Sequence, residues 1–335
     1  MSEVATDPAL PFGARLRLAS FGGIFTGATA LSMLAPAMRR ARQRVQAHRD
    51  VAYGPLFAHK LDVFLPPAVS QQPASPLPIL IYIHGGGFAV CSKETHEGIG
   101  LAHAYRGGFL VFNIDYRLAP QHRFPAAIED CCLAYRWVVE HCADYGGDPM
   151  RIVVAGESAG ANLALGVAIA ASYRRPEPWA RAVFDAGVAP IAVQPTMPFL
   201  QVSDPAARQG YPGVGKWTVR ILKDIARAYL GPGREQGDAG SDMADPIRIL
   251  EAAAAPERPF PEVWTGVGSV DICKQDAERL DAACTRLGIA VTTRWYEGEN
   301  HAFTLLRWRD NAKAFWRDSY EFLKRVVSVE PPLTR

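Results

Sequence analysis

The chain has 335 residues, 49% of them hydrophobic, enough to bury a large core in one main unit with insertions. Its 36 basic and 34 acidic side chains leave a formal charge of +2, a balance that argues against nucleic acid and against electrostatic capture by a membrane. Six cysteines, at positions 91, 131, 132, 142, 273 and 284, form neither a C-x-x-C pair nor a disulfide framework; they read as reduced, buried thiols and favour the cytoplasm.

Residues 1–50 read as an N-terminal helical arm. Within it, 18–38 carries no charge between Arg17 and Arg39, but Gly22, Gly23, Gly27 and Pro36 dilute its hydrophobicity. Glu3 and Asp7 spoil a signal peptide. The expectation is a pair of short amphipathic helices belonging to a cap, with no stable membrane insertion. Arg39, Arg40, Arg42 and Arg44 lack interleaved aromatics and read as a solvated helix face.

The main domain is expected over 51–195 and 246–330. Strand-like apolar runs fall at 60–65, 79–83, 109–114, 151–155, 182–188, 261–267 and 289–296, with helix-length segments at 125–142, 159–173 and 274–287. Alternation of this kind predicts an α/β fold with a mainly parallel central sheet and helices on both faces. It stops over 196–245, where an insertion contains a stretch at 216–230 whose apolar residues recur every three or four positions, a second cap element.

Two motifs carry chemistry. His84-Gly85-Gly86-Gly87-Phe88 follows the run at 79–83, and three glycines there cannot be strand interior. They suit close approach of bare backbone, with the N–H groups of two among Gly85, Gly86 and Gly87, which two being left open, aimed at an oxygen that becomes negative. Gly156-Glu157-Ser158-Ala159-Gly160 sits between a strand and a helix, a turn that exposes a strained serine and adds the N–H of Ala159 to the same oxyanion trap.

A serine nucleophile needs a base, and the base an orienting acid. His301 and Asp271 each follow a later strand, giving the chain order Ser, Asp, His of a nucleophile-elbow architecture. Asp276 and Glu278 are rival acids, but both fall in the helix at 274–287 and read as its solvated face. Phe88, Met197, Phe199, Leu200, Tyr211 and Trp217 are candidates for the substrate pocket. The histidines lack i, i+4 pairing, so no metal site is expected, and the chemistry requires no cofactor.

HGGGF, the stretches DYRLAP at 115–120 and FPAAIED at 124–130, GESAG, and the Asp271 and His301 loops occur in this order. In this the chain, from about residue 50 to 325, resembles the bacterial hormone-sensitive-lipase branch of the α/β-hydrolases. The resemblance implies a serine carboxylesterase with Ser158, Asp271 and His301 as triad and a helical cap. It also associates the triple glycine with esters of bulky, even tertiary, alcohols. Two positions depart from the family pattern: Glu157 stands where Asp is usual, and Ala161 replaces a frequent third glycine.

The expected reaction is hydrolysis of short- to medium-chain acyl esters through an acyl-enzyme, with a small-molecule ester as partner. The alternatives are an amidase or lactonase on the same triad, a long-chain lipase whose apolar arm meets a lipid surface, and a non-catalytic small-molecule receptor. A homodimer through an edge near the last strand and helix stays open.

Overall fold

The computed structural model describes residues 10–67, 75–211, 214–233 and 243–328. The first nine residues of the expected arm and positions 212–213 and 234–242 of the expected insertion lie outside them. Eight strands form one sheet: β1 (Gln46–Ala52), β2 (Lys60–Leu65), β3 (Leu77–Ile83), β4 (Leu110–Ile114), β5 (Gly147–Glu157), β6 (Ala192–Thr196), β7 (Glu262–Gly268) and β8 (Val291–Tyr296). Their order is β1-β2-β4-β3-β5-β6-β7-β8. The β1/β2 and β2/β4 pairs are antiparallel, and every pair from β4 onward is parallel.

Continuous apolar runs are what a sheet covered on both faces requires, because successive side chains point to opposite sides. In β3, Ile79, Ile81 and Ile83 enter one core while Leu80 and Tyr82 enter the other. In β5, Ile152 and Val154 divide from Val153 and Ala155 in the same way. The first core is closed by α4 (Ala126–His141), α5 (Ala159–Ser172), α6 (Pro178–Asp185), α8 (Pro246–Ala252) and α9 (Lys274–Leu287). The second is closed by α2 (Pro36–Arg44), α3 (Glu97–Ala102) and α10 (Asp310–Ser328). Helix α5 is buried on every side, which explains its run of alanine and glycine: a Cβ on Gly166 would lie 2.7 Å from Ile128 Cδ1 of α4.

Above the carboxyl ends of the parallel strands, α1 (Phe12–Met33) packs on α7 (Lys216–Leu230). Arg17 ties them together, its Nε 2.6 Å from Asp224 Oδ2. No described helix is long and apolar enough to cross a membrane. The exposed arginines of α2 form a solvated face, as its sequence suggests. Five of the six cysteines are buried, Cys91 is partly so, and all are free thiols.

Four expectations are corrected. Residues 18–33 belong to the single 22-residue helix α1, which Gly22, Gly23 and Gly27 do not break; the chain turns only before Pro36. Residues 182–188 are not a strand: they finish α6, which starts at Pro178 and buries Ala180, Val183 and Phe184 at helical spacing, before Gly187 at φ +78° ends it. The strand follows at β6, where Gln194 and Pro195 disguise a five-residue run. The last residues of the expected arm belong to β1, an exposed polar edge strand with no apolar alternation to announce it.

The fourth concerns Asp276, which is buried rather than solvated. Its carboxylate pairs with the guanidinium of Arg208 and takes the N–H of Leu200 at 2.7 Å, pinning the insertion to α9. Glu278 lies on the helix surface beside Lys274. Both Arg208 and Asp276 are almost wholly removed from solvent, so Arg208→Ala leaves the buried Asp276 carboxylate with only Arg279 Nη1, at 3.8 Å, as a charged partner. It should cost about 3–5 kcal/mol of stability in a urea unfolding titration.

Candidate active site

The nucleophile elbow follows from close packing between β3 and the β5–α5 turn. A Cβ on Gly160 would lie 2.1 Å from the carbonyl oxygen of Ile83, and one on Gly156 would lie 2.4 Å from that of Gly160. No other residue fits at either position, and the turn between them forces Ser158 to φ 55°, ψ −116°. Its N–H donates to Thr196 O at 3.0 Å and its carbonyl accepts from Ala161 N at 3.1 Å, so the strained residue is held from both ends.

The structure brings the three expected side chains together. Ser158 Oγ lies 3.0 Å from His301 Nε2, and His301 Nδ1 lies 2.9 Å from Asp271 Oδ1. Asp271 is buried, and the same oxygen accepts the N–H of Cys273 at 2.7 Å, which orients the carboxylate. Burial works against charge on His301, yet the Asp271 carboxylate outweighs it and holds the imidazole pKa well above its ordinary 6.5.

The glycine loop sits against this group. Gly86 and Gly87 have φ of +110° and +60°, and a Cβ on Gly86 would lie 2.1 Å from Val90 O. The N–H groups of Gly86, Gly87 and Ala159 have no acceptor among the described residues, as expected for a ligand-facing turn and the first position of a helix. The Gly85 N–H likewise has no acceptor among the described residues, and a Cβ there would lie 2.8 Å from Glu157 O.

The segments that carried the resemblance brace this loop. Tyr116 stacks on His84 at 4.3 Å between centroids and donates its hydroxyl to His84 O at 2.9 Å, while Ala119 N donates to Phe88 O at 2.8 Å. Arg117 closes on Asp130 through Nε at 2.9 Å and Nη2 at 2.7 Å, locking 115–120 to α4. Burial, with His96 nearby, pulls His84 down to about 3, so its ring is a neutral packing element. Burial pushes Asp115 up to about 7, and its carboxylate accepts Lys93 N at 2.7 Å.

Sequence reasoning missed the support beneath the elbow. Glu157 is buried, and its Oε1 lies 2.6 Å from His96 Nε2. Burial opposes its charge, but His96, His301 and Tyr82 together keep its carboxyl below the usual range. Glu157 is the position at which the sequence departs from the Asp that the resemblance leads one to expect. The 61-residue separation leaves no local signal for the pair.

A cavity of about 220 Å³ opens beside Ser158 and His301, walled by Phe21 and Phe25 of α1, Trp217 and Ile225 of α7, and Phe199. Of the six candidate pocket residues, only Phe199 and Trp217 line it. Phe88 is stacked on Tyr229 at 3.9 Å, and Met197 receives Ala302 N at its sulfur at 3.2 Å. Leu200 is in the core, and the Tyr211 hydroxyl faces Glu278 at 3.4 Å. The arm was expected to belong to the cap, but Phe21 and Phe25 were not among the pocket candidates. Hollows of about 760 and 550 Å³ elsewhere contain none of the three triad candidates.

A parallel sheet with a strained serine on a strand-to-helix turn defines an α/β-hydrolase. The family model described as alpha/beta hydrolase fold matches residues 80–305, and the chain belongs to that family. It is 37% identical over 165 residues to carboxylesterase NlhH of Mycobacterium tuberculosis, a match covering 47% of this chain and 49% of that protein. It is 43% identical over 110 residues to hormone-sensitive lipase of Mus musculus, covering 32% of this chain and 14% of that one. The chain thus spans about half the length, or less, of these curated relatives. Among solved structures, an esterase of Pyrobaculum calidifontis superimposes with a TM-score of 0.73 at 25% identity, covering 93% of this chain and 94% of that one.

The charge balance at His301 is directly measurable. Its ring signals in an NMR titration should shift with a midpoint above 6.5, and Asp271→Asn should move that midpoint down by removing the carboxylate that stabilises the imidazolium.

Proposed function

We propose that the chain is a serine carboxylesterase that hydrolyses short- to medium-chain acyl esters through an acyl-enzyme on Ser158. The observation that carries this reading is the continuous hydrogen-bonded line from Ser158 Oγ through His301 to Asp271, at 3.0 and 2.9 Å, beside free backbone donors. The names of the relatives and of the matched structure support the same chemistry.

His301 Nε2 takes the hydroxyl proton as Ser158 Oγ attacks the ester carbonyl, and Asp271 stabilises the imidazolium that forms. The tetrahedral oxygen accepts from the N–H groups of Gly86, Gly87 and Ala159, whose positive electrostatic environment is reinforced by the N-terminus of α5. His301 then gives its proton to the leaving alcohol, and water repeats the sequence on the acyl-enzyme. The cavity of about 220 Å³ is smaller than the range of about 300–1,000 Å³ usual for drug-sized ligands, which favours short or medium acyl chains. No step calls for a metal or cofactor.

The test is turnover of chromogenic esters of graded acyl length, with amides and lactones as competitors. Ser158→Ala should abolish turnover while the far-ultraviolet circular dichroism stays unchanged. Asp271→Asn should lower kcat by about 10⁴-fold, as loss of the orienting carboxylate does in other triads. Preference for an amide or a lactone over every ester would reassign the substrate class.

The pH profile has a definite sign. Because the folded environment raises the His301 pKa, the base is protonated and inactive to a higher pH than usual. kcat/KM should therefore climb with pH through an apparent pKa above 6.5 and level off once the imidazole is neutral.

A further inference from the structure

The overall charge of +2 hides a segregation. Helices α1, α2 and α7 together hold ten basic side chains and one acidic one, Asp224, which is already paired with Arg17. The rest of the chain is correspondingly acidic. The balance argued against capture by a membrane, but capture depends on what one face presents.

The exposed surfaces of these two packed helices carry two features. Along α7, Lys216, Arg220 and Lys223 are exposed on one stripe and have no acidic partner among the described residues. They also line a hollow of about 550 Å³. Next to them Trp217 is 64% exposed, and on α1 Phe12 and Leu16 are 74% and 58% exposed, outside any core cluster. The remaining exposed positions of α1, including Ser20, Gly23, Thr26, Gly27 and Ala30, bear no charge. The same two helices wall the cavity that leads to Ser158, through Phe21, Phe25 and Trp217.

We propose that the α1–α7 face docks peripherally on an anionic lipid surface, so that the mouth of the cavity opens against the lipid. An apolar edge bordered by a cationic stripe is the chemistry by which a surface helix lies in the headgroup layer, with aromatic side chains at its boundary. Lys216, Arg220 and Lys223 meet the headgroup phosphates while Phe12, Leu16 and Trp217 enter the acyl boundary. The inference goes beyond the esterase reading: it says from where a lipophilic substrate reaches the site, and the docking itself involves no turnover.

The experiment therefore uses Ser158→Ala, in which binding is read without hydrolysis. Sedimentation with vesicles of phosphatidylglycerol and phosphatidylcholine should pull the protein down at least tenfold more strongly than vesicles of phosphatidylcholine alone, and 0.5 M salt should release it, at roughly the concentration where the Debye length falls below 5 Å. The triple variant Lys216→Glu, Arg220→Glu, Lys223→Glu should lose that binding, and Phe12→Ser with Leu16→Ser should weaken it severalfold. Circular dichroism verifies that each variant is folded. Equal pull-down of both vesicle types, or undiminished binding by the charge-reversed variant, overturns the proposal. So does a concentration-dependent dimer in sedimentation velocity that the same charge reversal dissolves, because the face would then be covered by a second copy.

Discussion

The site depends on a contact from which a side chain is missing. The turn carrying Ser158 lies so close to the end of β3 that the carbonyl oxygens of Ile83 and His84 would fall 2.1 and 2.6 Å from any Cβ at Gly160. The same closeness sets the glycine loop against the serine, since that loop is the direct continuation of β3. One packing distance thus fixes both the nucleophile and the backbone donors facing it. Backbone strain at Ser158 persists because neighbours on three strands over-determine it.

Around this contact, electrostatics is arranged in two tiers. Nearest the serine, Asp271 keeps His301 basic against the cost of burial, and Cys273 N fixes the carboxylate. Beneath the elbow, His96 and Glu157 form a second buried hydrogen-bonded pair, and the histidine helps hold the Glu157 carboxyl below its usual range. The segment at 115–120 serves neither tier chemically. It stacks and hydrogen-bonds the loop into place and is itself anchored by Arg117 on Asp130.

Most of the architecture could be read from the chain because it rests on local rules. Buried parallel strands must be apolar on both faces, so β3, β4, β5 and β7 stood out, and the glycines of the elbow and loop had few other uses. Elements set by distant partners could not be read. β6 is short, with Gln194 and Pro195 inside it, and becomes a strand only because β5 and β7 flank it. The run before it looked like a strand because Val183 and Phe184 are apolar, yet the proline at the start of α6 decided its fate. Asp276 appeared solvated because its partner, Arg208, lies 68 residues away in the insertion. The pocket walls were only partly anticipated for the same reason: the arm read as part of a cap, but nothing near Phe21 or Phe25 reveals that these two side chains face Ser158.

The thiols have a practical corollary. Burial raises Cys131 and Cys132 far above the usual range and pushes Cys91 and Cys284 up to about 12 and Cys142 and Cys273 up to about 11, so none supplies appreciable thiolate near neutral pH. The molecule is in effect already a cysteine-silent background. A single Ser20→Cys on the outer side of α1 would carry a fluorophore or spin label alone, and its environment would report where that helix sits without altering a native residue of the reaction centre.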